Sequence, residues 1–283
     1  MSGAMITKEA VLTESTIAAP FASSALGRMR VIALNTFRES VRDRVLYNLI
    51  LFVLILVAAS VFVSDLSFDM ESQFTAALGL SVMLVFGALI AIFIGVGLVY
   101  KEIDKRTIYN LLSKPVHRQE FVVGKYLGLC MTLLVNSIVM VAGTELALLY
   151  VNRGLAPIEL AVLPAAYLIY LELALLVGIA IMFSSFTTPM LAALFSFAAY
   201  VIGQFSGDLS QAAALSDSAV VRALLTALYY LLPNLSNFGF IAEASHGVLP
   251  APAMVMRATF YAAIYIGVLL SASALIFQRR NFK

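Results

Sequence analysis

Six long stretches without Asp, Glu, Lys or Arg constrain this chain more than any other feature of its sequence. Each is about as long as the ~20 apolar residues that a helix needs to cross a bilayer. Composition agrees, because 62% of the residues are hydrophobic and 12% are charged, against about half and a quarter in soluble domains. The chain is therefore predicted to be an all-α integral membrane protein, which excludes a soluble enzyme, a nucleic-acid-binding protein and a disordered tail. The stretches are residues 45–64, 72–100, 126–144, 173–207, 223–242 and 258–278.

The distribution of positive charge indicates which of these stretches span the membrane. The run at 223–242 contains Pro233, Asn234 and Gly239, which suit a turn better than a helix. If this run does not span, fifteen of the eighteen Lys and Arg residues lie on one side, as the positive-inside rule expects of the cytoplasmic side. The sequence therefore predicts six spans and cytoplasmic termini. The predicted spans are residues 45–63, 74–99, 126–151, 160–184, 189–207 and 258–277.

The segments outside the spans also have predicted roles. Residues 1–27 are predicted to be a loose cytoplasmic tail, since their charges interrupt any signal-peptide core. Residues 28–44 combine five arginines with an apolar stripe at helical spacing, which predicts a helix along the membrane surface. Residues 219–246 are predicted to form an external segment that dips into the outer interface or caps the bundle. Residues 28–283 together form one membrane domain.

The loop between the second and third predicted spans is basic and also carries apolar and aromatic residues. Residues 107–113 are predicted to form a short helix that Pro115 would end. Such a helix is typical of a docking element for a soluble partner, whereas a merely solvated loop leaves its apolar residues unexplained. The sequence has no P-loop, no zinc-type His or Cys cluster and no G-x-S-x-G motif. No catalytic residue and no metal site is therefore predicted, and energy for transport would come from a partner or from ions.

This loop resembles that of the six-span permease subunits of ABC-2 type, or type V, ABC transporters. The family pattern there is E-x-x-x-G-T-x-x-x-L-L-[ST]-x-P-x-x-R-x-x-x-x-x-G-K. The chain departs from it at Arg106, where the family usually has glycine. Residues 231–238 and the basic C-terminus are also similar, so that the resemblance covers residues 28–283. The matched positions are Glu102, Thr107, Leu111, Leu112, Ser113, Pro115, Arg118, Gly124 and Lys125.

The resemblance implies the permease subunit of an ATP-driven exporter that works by alternating access and is not itself an enzyme. The loop would contain the coupling helix, which docks on a separate ATP-binding subunit; ATP and Mg would be bound there, and this chain would need no cofactor. Two permease copies, here a homodimer, would pair with two ATPases in the inner membrane of a bacterial cell. The nearest likeness is to permeases of nitrous oxide reductase maturation and gliding systems, which does not select a substrate. The implied docking residues are Glu102, Arg106, Thr107, Asn110 and Arg118.

Two glutamates within predicted spans are further candidates, because an ionisable group in a span is costly and often functional. Glu145 lies near the outer end of the third predicted span and Glu172 near the middle of the fourth. Either could line a translocation path, where it would bind a cationic group or carry a proton. The alternative is a structural glutamate, protonated or hydrogen-bonded, that joins helices, for instance through Asn136 or Tyr170. Two other functions stay open: a proton-coupled secondary transporter that uses both glutamates, and a membrane anchor for a cytoplasmic ATPase machine.

Small residues recur in the second predicted span and predict close packing between helices, with the interface between two copies as one place for it. They are Gly79, Gly87, Gly95 and Gly97.

Overall fold

The computed structural model is a bundle of α-helices, and it describes residues 25–42, 51–52, 55, 70–104, 118–152, 154, 157–216 and 218–279. No strand occurs in these ranges, so the all-α prediction is confirmed for them. The helices are α1 (Ala25–Arg42), α2 (Glu71–Asp104), α3 (Arg118–Asn152), α4 (Pro157–Ser184), α5 (Pro189–Gln204), α6 (Ser206–Leu215), α7 (Ala219–Leu231), α8 (Ile241–Ser245) and α9 (Pro252–Arg279), with a 3₁₀ turn at Leu235–Phe238.

Four of the described helices, α2, α3, α4 and α9, are long and apolar enough to cross a bilayer. They overlap the second, third, fourth and sixth predicted spans. Two further pairs reach that length only across a bend: α5 with α6, at 70°, and α7 with the segment Leu235–Ser245, at 47°. The described residues thus hold four to six candidate spans. The first predicted span, 45–63, lies outside them except for Leu51, Phe52 and Ile55.

The fifth predicted span ends earlier than its charge-free run suggests. Pro189 occupies the first turn of α5, where its missing N–H is harmless, and the turn before it separates α4 from α5 as predicted. The helix then stops at Gln204 instead of residue 207, and the chain bends at Phe205 into α6. The charge-free run therefore indicates how long the apolar segment is, and the straight helix within it is shorter.

Helix α4 is at the centre of the bundle and packs against α2, α3, α5 and α9. In the most apolar 18-residue stretch of α4, 72% of the residues are buried, whereas the figure is 22% for the corresponding stretch of α9. The glycines of α2 explain part of this close packing: a Cβ at Gly79 would lie 2.5 Å from Thr144 of α3, and Gly87 faces Leu173 of α4. Gly79, Gly87 and Gly95 are thus packed within the chain, so an interface between copies is the wrong interpretation for them.

The segment after α7 packs against α4 and α5. Leu235 and Phe238 of the 3₁₀ turn are buried, and the turn contacts α4 and α5. Gly203 permits this approach, since a Cβ there would lie 2.9 Å from the backbone oxygen of Pro233. The backbone N–H of Asn234 donates to the Tyr261 hydroxyl at 2.8 Å. Non-helical backbone in such an apolar setting needs protein partners of this kind.

Candidate functional site

The predicted docking residues belong to a loop of which the structure describes the two flanking helices. Glu102 lies in the last turn of α2, and Arg118 is the first residue of α3. The two helices pack against each other, and Gly79, near the start of α2, meets Thr144, near the end of α3, as expected of helices that run in opposite directions. Arg106, Thr107 and Asn110, with the predicted short helix, lie outside the described residues. The docking role of all five residues stays a prediction.

An ion pair joins α1 to the first turn of α3. The Arg28 Nε donates to Glu120 Oε2 at 2.8 Å, and its Nη2 donates to Oε1 at 2.7 Å. Two parallel hydrogen bonds of this kind fix orientation as well as distance. The Glu120 side chain is 5% exposed and that of Arg28 is 19% exposed. The hydrogen bonds to Glu120 raise the pKa of Arg28.

The next turns of α3 allow α1 to approach closely. A Cβ at Gly128 would lie 2.6 Å from the backbone oxygen of Ala33, and one at Gly124 would lie 2.8 Å from the Ile32 Cβ. Helix α1 presents small buried residues to this contact, among them Ala33 and Thr36. The spacing of the two glycines is the G-x-x-x-G arrangement of closely packed membrane helices, a signal that the sequence contained and the prediction overlooked.

Helix α1 forms where the membrane-surface helix was predicted, and its place at the membrane surface stays a prediction. Its most buried face is not the predicted apolar stripe, to which Leu34, Phe37 and Val41 belong. Leu34 and Phe37 are half-buried, and Val41 is 42% exposed. The small residues one position away face α3 instead, because they permit a shorter distance between the helix axes. Helix α1 begins at Ala25, so the last three residues of the predicted tail belong to it.

Glu172 is bound inside the bundle. It is 1% exposed, and its Oε1 accepts a hydrogen bond from the Gln204 Nε2 at 2.5 Å. Gln204 is the last residue of α5, so the bond holds the middle of α4 to the point where the chain bends. This is the structural arrangement foreseen as an alternative, but the partners suggested from the sequence were wrong. Tyr170 donates instead to the backbone oxygen of Cys130 at 3.4 Å.

Asn136 was the other suggested partner of Glu172. It is buried in α3, and neither of its amide atoms has a hydrogen-bond partner in the part of the chain that the structure describes.

Glu145 has a different environment. It is half-buried, and its Oε1 is buried without a hydrogen-bond partner among the described residues. It lies about 10 Å from the end of α3, whereas Glu172 lies about 22 Å from the start of α4, at ~1.5 Å per residue. A short connection joins these two helix ends, where Asn152 donates to Glu159 at 3.3 Å. The two glutamates therefore lie at different depths and do not form one site. No three His, Cys, Asp or Glu residues in the described ranges could together hold a metal ion.

Comparison with known proteins assigns the chain to a family. The family model described as ABC-2 family transporter protein matches residues 30–282, which leaves out 29 residues at the N-terminus and the last residue. The matched range includes α2 and α3 and the whole loop between them. No curated protein matches the chain.

Proposed function

The chain belongs to the ABC-2 transporter family, and we propose that it is the permease subunit of an ATP-driven exporter. The observation that carries this proposal is the family match over residues 30–282, together with at least four described helices of membrane-spanning length. ATP and Mg would be bound by a separate chain, and the permease would move its substrate by alternating access.

We propose the loop between α2 and α3 as the docking element for that ATP-binding subunit. The antiparallel packing of the two helices supports this, because it brings Glu102 and Arg118 to the same end of the bundle. Arg106, Thr107 and Asn110 would complete the contact. A basic loop would also lie on the cytoplasmic side, where ATP is available.

The remaining parts of the assembly follow from the same proposal. Two copies of this chain would pair with two ATPases in the inner membrane of a bacterial cell, with both termini in the cytoplasm. A relationship to permeases of nitrous oxide reductase maturation or gliding systems stays a prediction and does not select a substrate.

The proposal is tested by isolating the chain in mild detergent from its native membrane. We expect a stoichiometric P-loop ATPase to co-purify, identified by mass spectrometry, and the eluate to hydrolyse ATP. The double variant Glu102→Ala, Arg118→Ala should lose the ATPase. Gln119→Ala is the matched control, because Gln119 is exposed in the same first turn of α3. A chain that purifies alone and hydrolyses nothing, under conditions that keep known transporter complexes intact, would contradict the proposal.

The two alternatives predict other outcomes. A proton-coupled carrier would transport without an ATPase and would respond to neutral substitution at Glu172 and Glu145. The proton-coupled hypothesis has less support, because Glu172 is hydrogen-bonded to Gln204 and the two glutamates lie apart. A membrane anchor for a cytoplasmic machine would bind the ATPase but transport nothing. Reconstitution of the purified complex in vesicles separates these cases.

A further inference from the structure

Helix α1 and the first three turns of α3 are joined at two levels. The lower level is the ion pair between Arg28 and Glu120, with its two short hydrogen bonds. The upper level is the contact of Gly124 and Gly128 with Ile32 and Ala33, which leaves no room for a Cβ on either glycine. An ion pair resists rotation of one helix against the other, and close backbone packing resists separation. Contacts of these two kinds would hold the two helices together against small forces.

The place of this helix pair in the chain suits it to a mechanical role. Glu120 lies two residues after Arg118, where α3 leaves the loop proposed to dock the ATPase. Helix α1 is the other partner in the contact. Residues 43–44 follow it in the sequence and lead to the first predicted span, 45–63. A displacement of the loop would reach that span through α1, without passing along the length of α3.

We propose that Arg28 and Glu120 are a positioning pair that couples movement of the docking loop to α1 and thereby to the first span. This inference rests on the proposed function, since it needs an ATPase that moves the loop. The bidentate geometry matters because a single flexible contact would allow α1 to pivot when α3 shifts. The low exposure of Glu120 matters because water competes little for its carboxylate.

Amide hydrogen exchange of the co-purified complex in lipid nanodiscs tests the proposal. Exchange would be compared without nucleotide and after trapping with ATP and vanadate, for peptides from residues 25–42 and 118–128. In the native complex we expect trapping to change exchange in both regions. In Arg28→Gln we expect the change in 118–128 to persist and the change in 25–42 to vanish. Arg28→Lys keeps the charge but not the paired geometry, and should give an intermediate response.

Arg30→Gln is the matched control, because Arg30 is an exposed arginine on the same helix. It should respond to trapping as the native chain does. A merely structural role for the ion pair has a different signature: Arg28→Gln would raise exchange of α1 equally in both states and leave the nucleotide-dependent difference intact. That result would overturn the proposal, as would a native complex in which trapping affects 118–128 but not 25–42.

Failure of the proposed function would be visible at an earlier step. If no ATPase co-purifies with the native chain, the exporter proposal and this inference both fall before any variant is made. If the ATPase binds and trapping changes 118–128, the exporter proposal stands and the exchange of α1 alone decides the inference.

Discussion

Replacing Gln204 with leucine would leave Glu172 buried in the middle of α4 without its observed partner. Glu172 is 1% exposed, so water has little access to replace the lost hydrogen bond. The reverse change, Glu172→Gln, keeps an acceptor oxygen at the same place and therefore keeps the bond. If the pair is structural, the first change should destabilise the protein and the second should be nearly neutral.

The magnitude follows from the burial of Glu172. A buried polar group that loses its partner costs about 1–3 kcal/mol in soluble proteins. Hydrogen bonds between membrane helices are worth less, about 0.6 kcal/mol on average and up to about 1.7. We therefore expect Gln204→Leu to lower the free energy of unfolding by about 1–2 kcal/mol. The double variant Glu172→Leu, Gln204→Leu removes both polar groups and should recover most of that loss.

Thermal unfolding in detergent, with a double-mutant cycle over the two positions, measures this coupling. A loss of 1 kcal/mol corresponds to a fall in Tm of about 2–4 °C for a chain of this size class. Gln211→Leu is the control, because Gln211 is exposed on α6 and its loss should change stability by less than about 0.5 kcal/mol. A coupling energy below about 0.3 kcal/mol would refute the structural role. Loss of transport in Glu172→Gln with unchanged stability would return Glu172 to the translocation path.

Two further changes test the contacts that shape the bundle. Gly128→Val should force α1 away from α3, since even a Cβ meets backbone at 2.6 Å, and should cost about 1–3 kcal/mol in thermal unfolding. Gly267→Ala is its control, because a Cβ there meets nothing within 4 Å and alanine should be neutral or stabilising. Tyr261→Phe removes the acceptor of the Asn234 N–H and should cost about 1 kcal/mol in the same assay. Tyr230→Phe on exposed α7 should cost nothing measurable, and equal losses in the two tyrosine variants would contradict the assigned role of Tyr261.

The sequence predicted the helical membrane class well because that class depends on a local property. A charge-free run of about 20 residues has few other stable environments than a bilayer or a protein core. Element ends were also predictable where the residue itself dictates them, as Pro189 does at the start of α5. The bend at Phe205 was not predictable in this way, because it forms where segments that are distant in the sequence pack together.

The contacts of the candidate residues depended on such distant pairs. Gln204 is 32 residues from Glu172, and Arg28 is 92 residues from Glu120. Neither pair has a spacing that places both residues on one helix face, so periodicity carries no information about them. The G-x-x-x-G at 124–128 was a local signal of close packing, yet it does not name the helix that fills it. Only the fold identifies α1 as that helix.

The apolar run at 223–242 shows why hydropathy alone does not distinguish a straight span from a broken helix. An apolar segment can be buried by protein as well as by lipid, and the two environments make different demands on its backbone. Lipid demands an unbroken helix, which Pro233 and Asn234 prevent. Protein can supply individual partners, as Tyr261 does for the Asn234 N–H, and space, as Gly203 does for Leu235. The polar and turn-forming residues within the run therefore indicate burial against the bundle. The Tyr261 hydroxyl and Gly203, which contact the run, lie on two other helices, α9 and α5.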